Sequence, residues 1–233
     1  MGFTSSSSTS KDIKNDHHSF DHVTVTGYTG TAFTLEGRNA KNLGFDRCNC
    51  LGMIRRTRVG QYAIDTSTYA DHGAAFVWNK GSAIGHEQAD FKIGDRNDTI
   101  KIDGVSSEKS ARMLQMLDHS GTDASAACPV LLENHRFGAG VARLVAGDRE
   151  VIQCQAVGPL SVVACKIGSG IKRLQLRIRY EPHPPPGAFN FIGNAIANDG
   201  DGRVFTASPP TMPYEYGNLG YRDGKWQALG PGL

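Results

Sequence analysis

The stretch HVTVTGYTGTAFTLEGRNAKNLGFDRCN, His22 to Asn49, sets three short runs end to end: His22-Val23-Thr24-Val25-Thr26, Ala32-Phe33-Thr34-Leu35-Glu36 and Asn42-Leu43-Gly44-Phe45-Asp46. Apolar and polar residues alternate in each, the period of a strand with one face buried. Glycine, asparagine and threonine fill the gaps, where a chain turns. The rhythm continues through Tyr62–Asp65, Ala75–Trp78, Ala89–Ile93, Thr99–Asp103, Ala111–Met116, Pro129–Leu132, Arg143–Val145, Glu150–Gln153, Leu160–Lys166, Leu174–Tyr180 and Phe189–Ile192. Run starts are mostly spaced by about 10 to 15 residues, so the chain reads as all-β.

Two architectures give such a rhythm. An antiparallel sandwich would join its strands by tight hairpins, yet of the Asp-Gly pairs only the one at Asp103 lies between repeating runs. A parallel solenoid stacks strand-turn-strand coils without hairpins, and polar, asparagine-bearing corners fit it better. Asn42, Asn97, Asn134 and Asn194 each border an apolar run. Such residues turn a coil through left-handed geometry and bond to the neighbouring coil, although asparagine also marks ordinary surface turns.

Composition narrows the function classes. With 25 Lys+Arg against 23 Asp+Glu the net charge is +2, so no broad field favours nucleic acid or an anionic membrane as partner. No run approaches the roughly 18 apolar residues of a spanning helix, and MGFTSSSSTSKD has no apolar signal core. That leaves export by another route, such as lysis with a virion, or a start inside a larger gene product. The five cysteines, Cys48, Cys50, Cys128, Cys154 and Cys165, contain no C-x-x-C pair and read as buried free thiols rather than as disulfides or a zinc site.

The quoted stretch, with its "V-x-V-x-G", "x-F-x-L-E-G" and "N-L-x-F-x-x-C" segments, resembles a coil of the pectate-lyase-like right-handed parallel β-helix proteins, which include phage tailspikes. DFKIGDRNDTIKIDGVSSEKSARML, Asp90 to Leu114, is similar to a further unit of that family. The C-terminal Gly200 to Leu233 resembles a short module that follows such helices, on Gly202, Val204, Phe205, Pro209, Gly220, Gly224, Lys225, Trp226, Leu229 and Gly230. Residues 1–18, polar and serine-rich without a period, read as a flexible arm or linker, and the resemblance implies a parallel β-helix over 19–199 and a capping hairpin over 200–233, with Trp226 as the cover of the open end. It also implies an extracellular or virion setting, a polysaccharide partner, homotrimers, and that the chain is a C-terminal portion of its gene product.

Whether there is turnover stays open. The N-T-D, D-D and H-G signatures of polygalacturonases are absent, and Arg177-Ile178-Arg179 only echoes their R-I-K. Asp95, Asp98 and Asp103 are the nearest approach to a calcium-binding carboxylate cluster, against the plainer reading of a solvated turn. His72, His86, His119 and His135 form no metal-binding spacing, and no metal or other cofactor is expected beyond that calcium candidate. For a glycoside hydrolase or lyase the candidate carboxylates are Asp65, Asp90 and Asp103; for sugar contact they are Tyr62 and Trp78 as stacking surfaces, with Arg177 and Arg179 sharing one face of a strand. The expectation is a surface solenoid that binds polysaccharide, its cleavage left open; the alternative is a non-catalytic structural or adhesive solenoid whose outer face only docks carbohydrate or another subunit.

Overall fold

The computed structural model describes residues 3–5, 18–35, 42–55, 58–66, 75–94, 99–117, 128–139, 149–154, 159–169, 176–180, 189–197, 214–222 and 225–228. They form a right-handed parallel β-helix with three faces and no α-helix. The first sheet stacks seven strands, from Phe3–Ser5 through Thr31–Leu35, Tyr62–Asp65, Ala89–Gly94, Leu114–Leu117 and Arg149–Cys154 to Leu176–Tyr180. The second stacks eight, from Ser19–Asp21 to Tyr214–Tyr216, and the third stacks nine, from Thr24–Thr26 to Lys225–Ala228. Neighbours within each sheet run parallel, except that Lys225–Ala228 folds back antiparallel on Leu219–Arg222. The antiparallel sandwich is thereby excluded for the repeating part.

Alternation along each strand becomes a column along the axis, because the register is one to one. In the second sheet Leu43, Phe76, Ile100, Val130, Leu160 and Phe189 face inward on successive rungs, and so do Phe20, Phe45, Trp78, Ile102, Leu132, Val162 and Phe191. Phe20 stacks on Phe45, and Phe45 on Trp78, each at 5.1 Å between ring centres. The first sheet meets them with Phe33, Ile64, Phe91, Leu114 and Ile152, and the third with Val25, Cys50, Ala83, Phe137, Ile167 and Ile196. All five cysteines are free and buried, as their sequence setting suggests.

The corner from the second to the third sheet is always two residues long, as at 22–23, 47–48, 80–81, 104–105, 134–135, 164–165, 193–194 and 217–218. The first residue of each pair is left-handed: His22, Arg47, Lys80, Gly104, Asn134, Ala164, Gly193 and Gly217 all have φ between 51° and 65°. Two peptide units suffice to swing the chain between sheets only through this conformation. The Asp103-Gly104 pair therefore makes a corner, not a hairpin. Leu160–Lys166, a single run in the sequence, is cut in two by the corner at Ala164. At Lys80-Gly81 both residues are positive, and a Cβ on Gly81 (φ 94°) would overlap the Cys48 carbonyl.

Where the second corner residue is asparagine or cysteine, its buried side chain ties the rung to the previous one. Asn194 Nδ2 donates to the Val162 carbonyl at 2.9 Å while its Oδ1 accepts from the Cys165 N–H at 2.9 Å. Asn218 repeats both bonds one rung on, to the Phe191 carbonyl at 2.7 Å and from the Asn194 N–H at 2.9 Å. Cys48 and Cys165 occupy the same position, and their thiols reach the equivalent carbonyls of Phe20 and Leu132 at 3.4 and 3.7 Å. Asn42 and Asn134 are left-handed corners and Asn194 bonds across coils, in keeping with the sequence reading; Asn97 lies outside the described residues.

Candidate functional site

Connections into and out of the first sheet are longer than the corner between the other two. Its strands end at Leu35, Asp65, Leu117 and Tyr180, and the next strands begin at Leu43, Phe76, Val130 and Phe189. Strand faces flanked by long connections are where solenoids carry binding residues. One outward column on this face is Thr34, Asp65, Lys92, Gln115 and Gln153, one residue per rung.

The column is a polar ladder. Lys92 Nζ donates to Asp65 Oδ2 at 3.1 Å and lies 5.0 Å from the centre of the Tyr62 ring. Gln115 Nε2 donates to Gln153 Oε1 at 3.0 Å. Arg112 sits beside them, its guanidinium reaching the Gln88 carbonyl at 3.4 Å. Two polar atoms of this group, Arg112 Nε and Gln115 Oε1, are buried with no hydrogen-bond partner, while the side chains that carry them are only part-buried. Burial raises the Tyr62 phenol, Asp65 adds to this and Arg112 opposes it, so the hydroxyl stays protonated and can donate.

Of the residues expected from sequence, Tyr62 and Asp65 come together here. Arg177 and Arg179 belong to a strand of the same sheet, in register with Glu150 and Gln153, but their side chains lie outside what is described. Trp78 is not a stacking platform: it is fully buried between Phe45, Phe33 and Phe91, and its indole N–H donates to the Lys80 carbonyl at 2.9 Å. Asp103 stands on the second sheet, a different face, held by Asn134 Nδ2 at 3.0 Å and Lys101 at 3.4 Å. The Asn134 bond, aided by Lys101, keeps its carboxyl below the usual range, which suits an ionised acceptor and not a proton donor. Asp95 and Asp98 lie outside the described residues, and among the described ones no three His, Cys, Asp or Glu side chains gather as a metal cluster.

Asp90 is also displaced from solvent. It is wholly buried at the corner where the third sheet passes into the first, with His86 Nδ1 on its Oδ1 at 2.6 Å. Tyr28 meets the other ring nitrogen of His86 at 2.5 Å, and Ser110 Oγ approaches Nδ1 at 3.4 Å. Burial raises the Asp90 carboxyl, partly offset by its bond to His86. Ser, His, Asp and Tyr resemble catalytic stock, yet Ser110 and Asp90 compete for one ring nitrogen while Tyr28 takes the second. A relay needs the nucleophile and the carboxylate on opposite nitrogens, so this cluster is a sealed structural network.

Trp226 also departs from expectation. Paired with Tyr221 across the antiparallel hairpin, it is 45% exposed on the outer face of the third sheet rather than lying over the core. Lys92, Arg112, Gln115 and Gln153 escaped the sequence reading because each is an unremarkable polar beat; only the coil register makes them neighbours. No family model matches the chain, and neither a curated protein nor a solved structure does.

Proposed function

We propose that the chain is a pectate-lyase-like surface solenoid, extracellular or virion-borne, that binds polysaccharide along the outer face of its first sheet. One observation carries this: the ladder Asp65–Lys92–Gln115–Gln153, edged by Tyr62 and Arg112, lines up part-exposed donors and acceptors on successive rungs beside an aromatic ring. Sugars present paired hydroxyls that both donate and accept, and their C–H faces lie against a tyrosine ring. Rungs about 4.8 Å apart repeat these contacts along a chain laid parallel to the axis.

Binding without turnover is the form the geometry favours. Among the described carboxylates of this face, Asp65 is ion-paired with Lys92 and Asp90 is sealed, so these two form no acid–base pair toward a ligand. Association into homotrimers belongs to the same proposal. Affinity electrophoresis against a panel of neutral and acidic polysaccharides tests it. At least one should retard the protein, and Tyr62→Ala and Gln115→Ala should each weaken that binding by about tenfold, the factor that corresponds to 1.4 kcal/mol. Binding that ignores both substitutions, or no binding across the panel, would refute the reading; release of new chain ends would refute the absence of turnover.

A further inference from the structure

The third sheet carries a second, differently built surface. Its outward residues form two columns: Arg136, Lys166, Ala195 and Leu219 in one, and Gly138, Gly168, Ala197, Tyr221 and then Trp226 in the other. Arg136 and Lys166 are exposed, sit on adjacent rungs, and pair with no described carboxylate. Tyr221 and Trp226 are 37% and 45% exposed, with ring centres 5.3 Å apart. Between them lies backbone covered by nothing larger than a methyl group.

The two glycines are not demanded by the fold. Neither has a positive φ. A Cβ on Gly138 would come no nearer than 3.8 Å to its surroundings, at the Ser107 carbonyl, and one on Gly168 would meet Ala197 Cβ at 3.8 Å, both ordinary contacts. Glycine inside a strand is destabilising against a residue with a side chain, and marks places where something approaches the backbone closely. Here that cost is borne on two successive rungs, beside two uncompensated cations and below an aromatic pair.

We infer that this face is a second binding surface, for an anionic glycan lying along the solenoid axis. Strand spacing of about 4.8 Å puts the Arg136 and Lys166 charges on neighbouring steps and the Tyr221–Trp226 pair roughly 10 Å beyond Lys166. Carboxylate or sulfate groups meet the cations, and a ring stacks on the aromatics. Glu108, one rung before Gly138, closes the other end to anions. A peptide is the weaker fit: the backbone groups of this face are already spent on the parallel ladder, so an extended peptide finds no main-chain partners there. The surface is separate from the first-sheet site and does not depend on it.

The test uses the full chain with polygalacturonate, heparin, dextran and polyglutamate as probes. Polygalacturonate, heparin or both should bind, more weakly as salt rises, and the two distinguish carboxylate from sulfate recognition. The double variant Arg136→Ser, Lys166→Ser should lose at least tenfold in affinity. Gly168→Leu places a better strand residue on the strip, so it should keep or raise the melting temperature while losing binding to the same extent. Trp226→Ser, at an exposed position, gives a second reading if Gly168→Leu does not fold. Arg136→Ser, Lys166→Ser should leave Tyr62-dependent retardation by neutral polysaccharides unchanged, which separates this surface from the first-sheet one. Unchanged binding in Arg136→Ser, Lys166→Ser, or in Gly168→Leu or Trp226→Ser, overturns the inference, as do binding of dextran or polyglutamate as tight as that of the anionic glycans and failure of both anionic glycans to bind.

Discussion

Acid should unfold this solenoid through His135, and the size of the effect follows from where the ring sits. His135 is the second residue of a two-residue corner and is 1% exposed. Its Nε2 meets Ser107 Oγ at 2.8 Å, Phe91 lies edge-on at 5.9 Å, and Nδ1 has no partner. Burial without a compensating carboxylate pulls the imidazole from 6.5 down to about 3. A base with a depressed value binds its proton more readily when unfolded. Its contribution is therefore complete above about pH 6.5 and is lost as pH falls toward about 3. At about 1.4 kcal/mol per unit, the loss is near 2 kcal/mol at about pH 5. Asp90 works in the opposite sense, since its raised carboxyl favours the protonated fold, so a wild-type profile alone is ambiguous. The informative comparison is with His135→Asn, because Asn194 and Asn218 fill the matching corners with two rung-to-rung bonds each. Urea unfolding of both proteins at neutral pH and at about pH 5 should show wild type losing about 2 kcal/mol more than the variant. Parallel losses in the two proteins would refute the assignment.

Other outcomes follow from the same packing. Gly81→Ala drives a methyl into the Cys48 carbonyl at a φ of 94°, and should cost about 3 kcal/mol or more, read as loss of soluble folded protein or a large fall in melting temperature. Trp78→Ala should cost about 3–5 kcal/mol while leaving glycan affinity per folded molecule unchanged, the opposite of what a binding platform would do. Burial pushes the Cys165 thiol up to about 12, and all five cysteines are buried, so a thiol reagent at neutral pH should titrate none in the native protein and all five in denaturant. Cys165→Asn should be neutral or stabilise by about 1 kcal/mol in thermal unfolding, since asparagine reaches the Leu132 carbonyl with a stronger donor than a thiol.

Strand positions were legible in the sequence because period two survives in short runs, and parallel stacking was legible because hairpin turns were missing. What alternation does not say is which set faces inward. Val77 and Trp78 are adjacent, and only the register with Phe45 and Ile102 sends the indole into the core and leaves Val77 47% exposed. The same gap misplaced Asp90, whose inward turn depends on His86 four residues earlier and on Tyr28 and Ser110 from other coils. Third-sheet strands such as Asn49–Leu51, Ser82–Ile84 and Ser106–Glu108 are three residues each, with a single inward side chain, too short for a periodic signal. Corners were seen where asparagine marks them, but His22, Arg47, Lys80 and Ala164 hold the same conformation under tertiary constraint alone.

The invariant two-residue bend has a bearing on how such a chain tolerates change during divergence. An inserted or deleted residue there would slip every downstream side chain from inside to outside within that rung, so length variation is filtered out at this seam. At the borders of the first sheet, where the spacer already differs from rung to rung, the same event leaves the frame untouched. One edge of the prism thus acts as a ruler while the opposite face is free to acquire new loops.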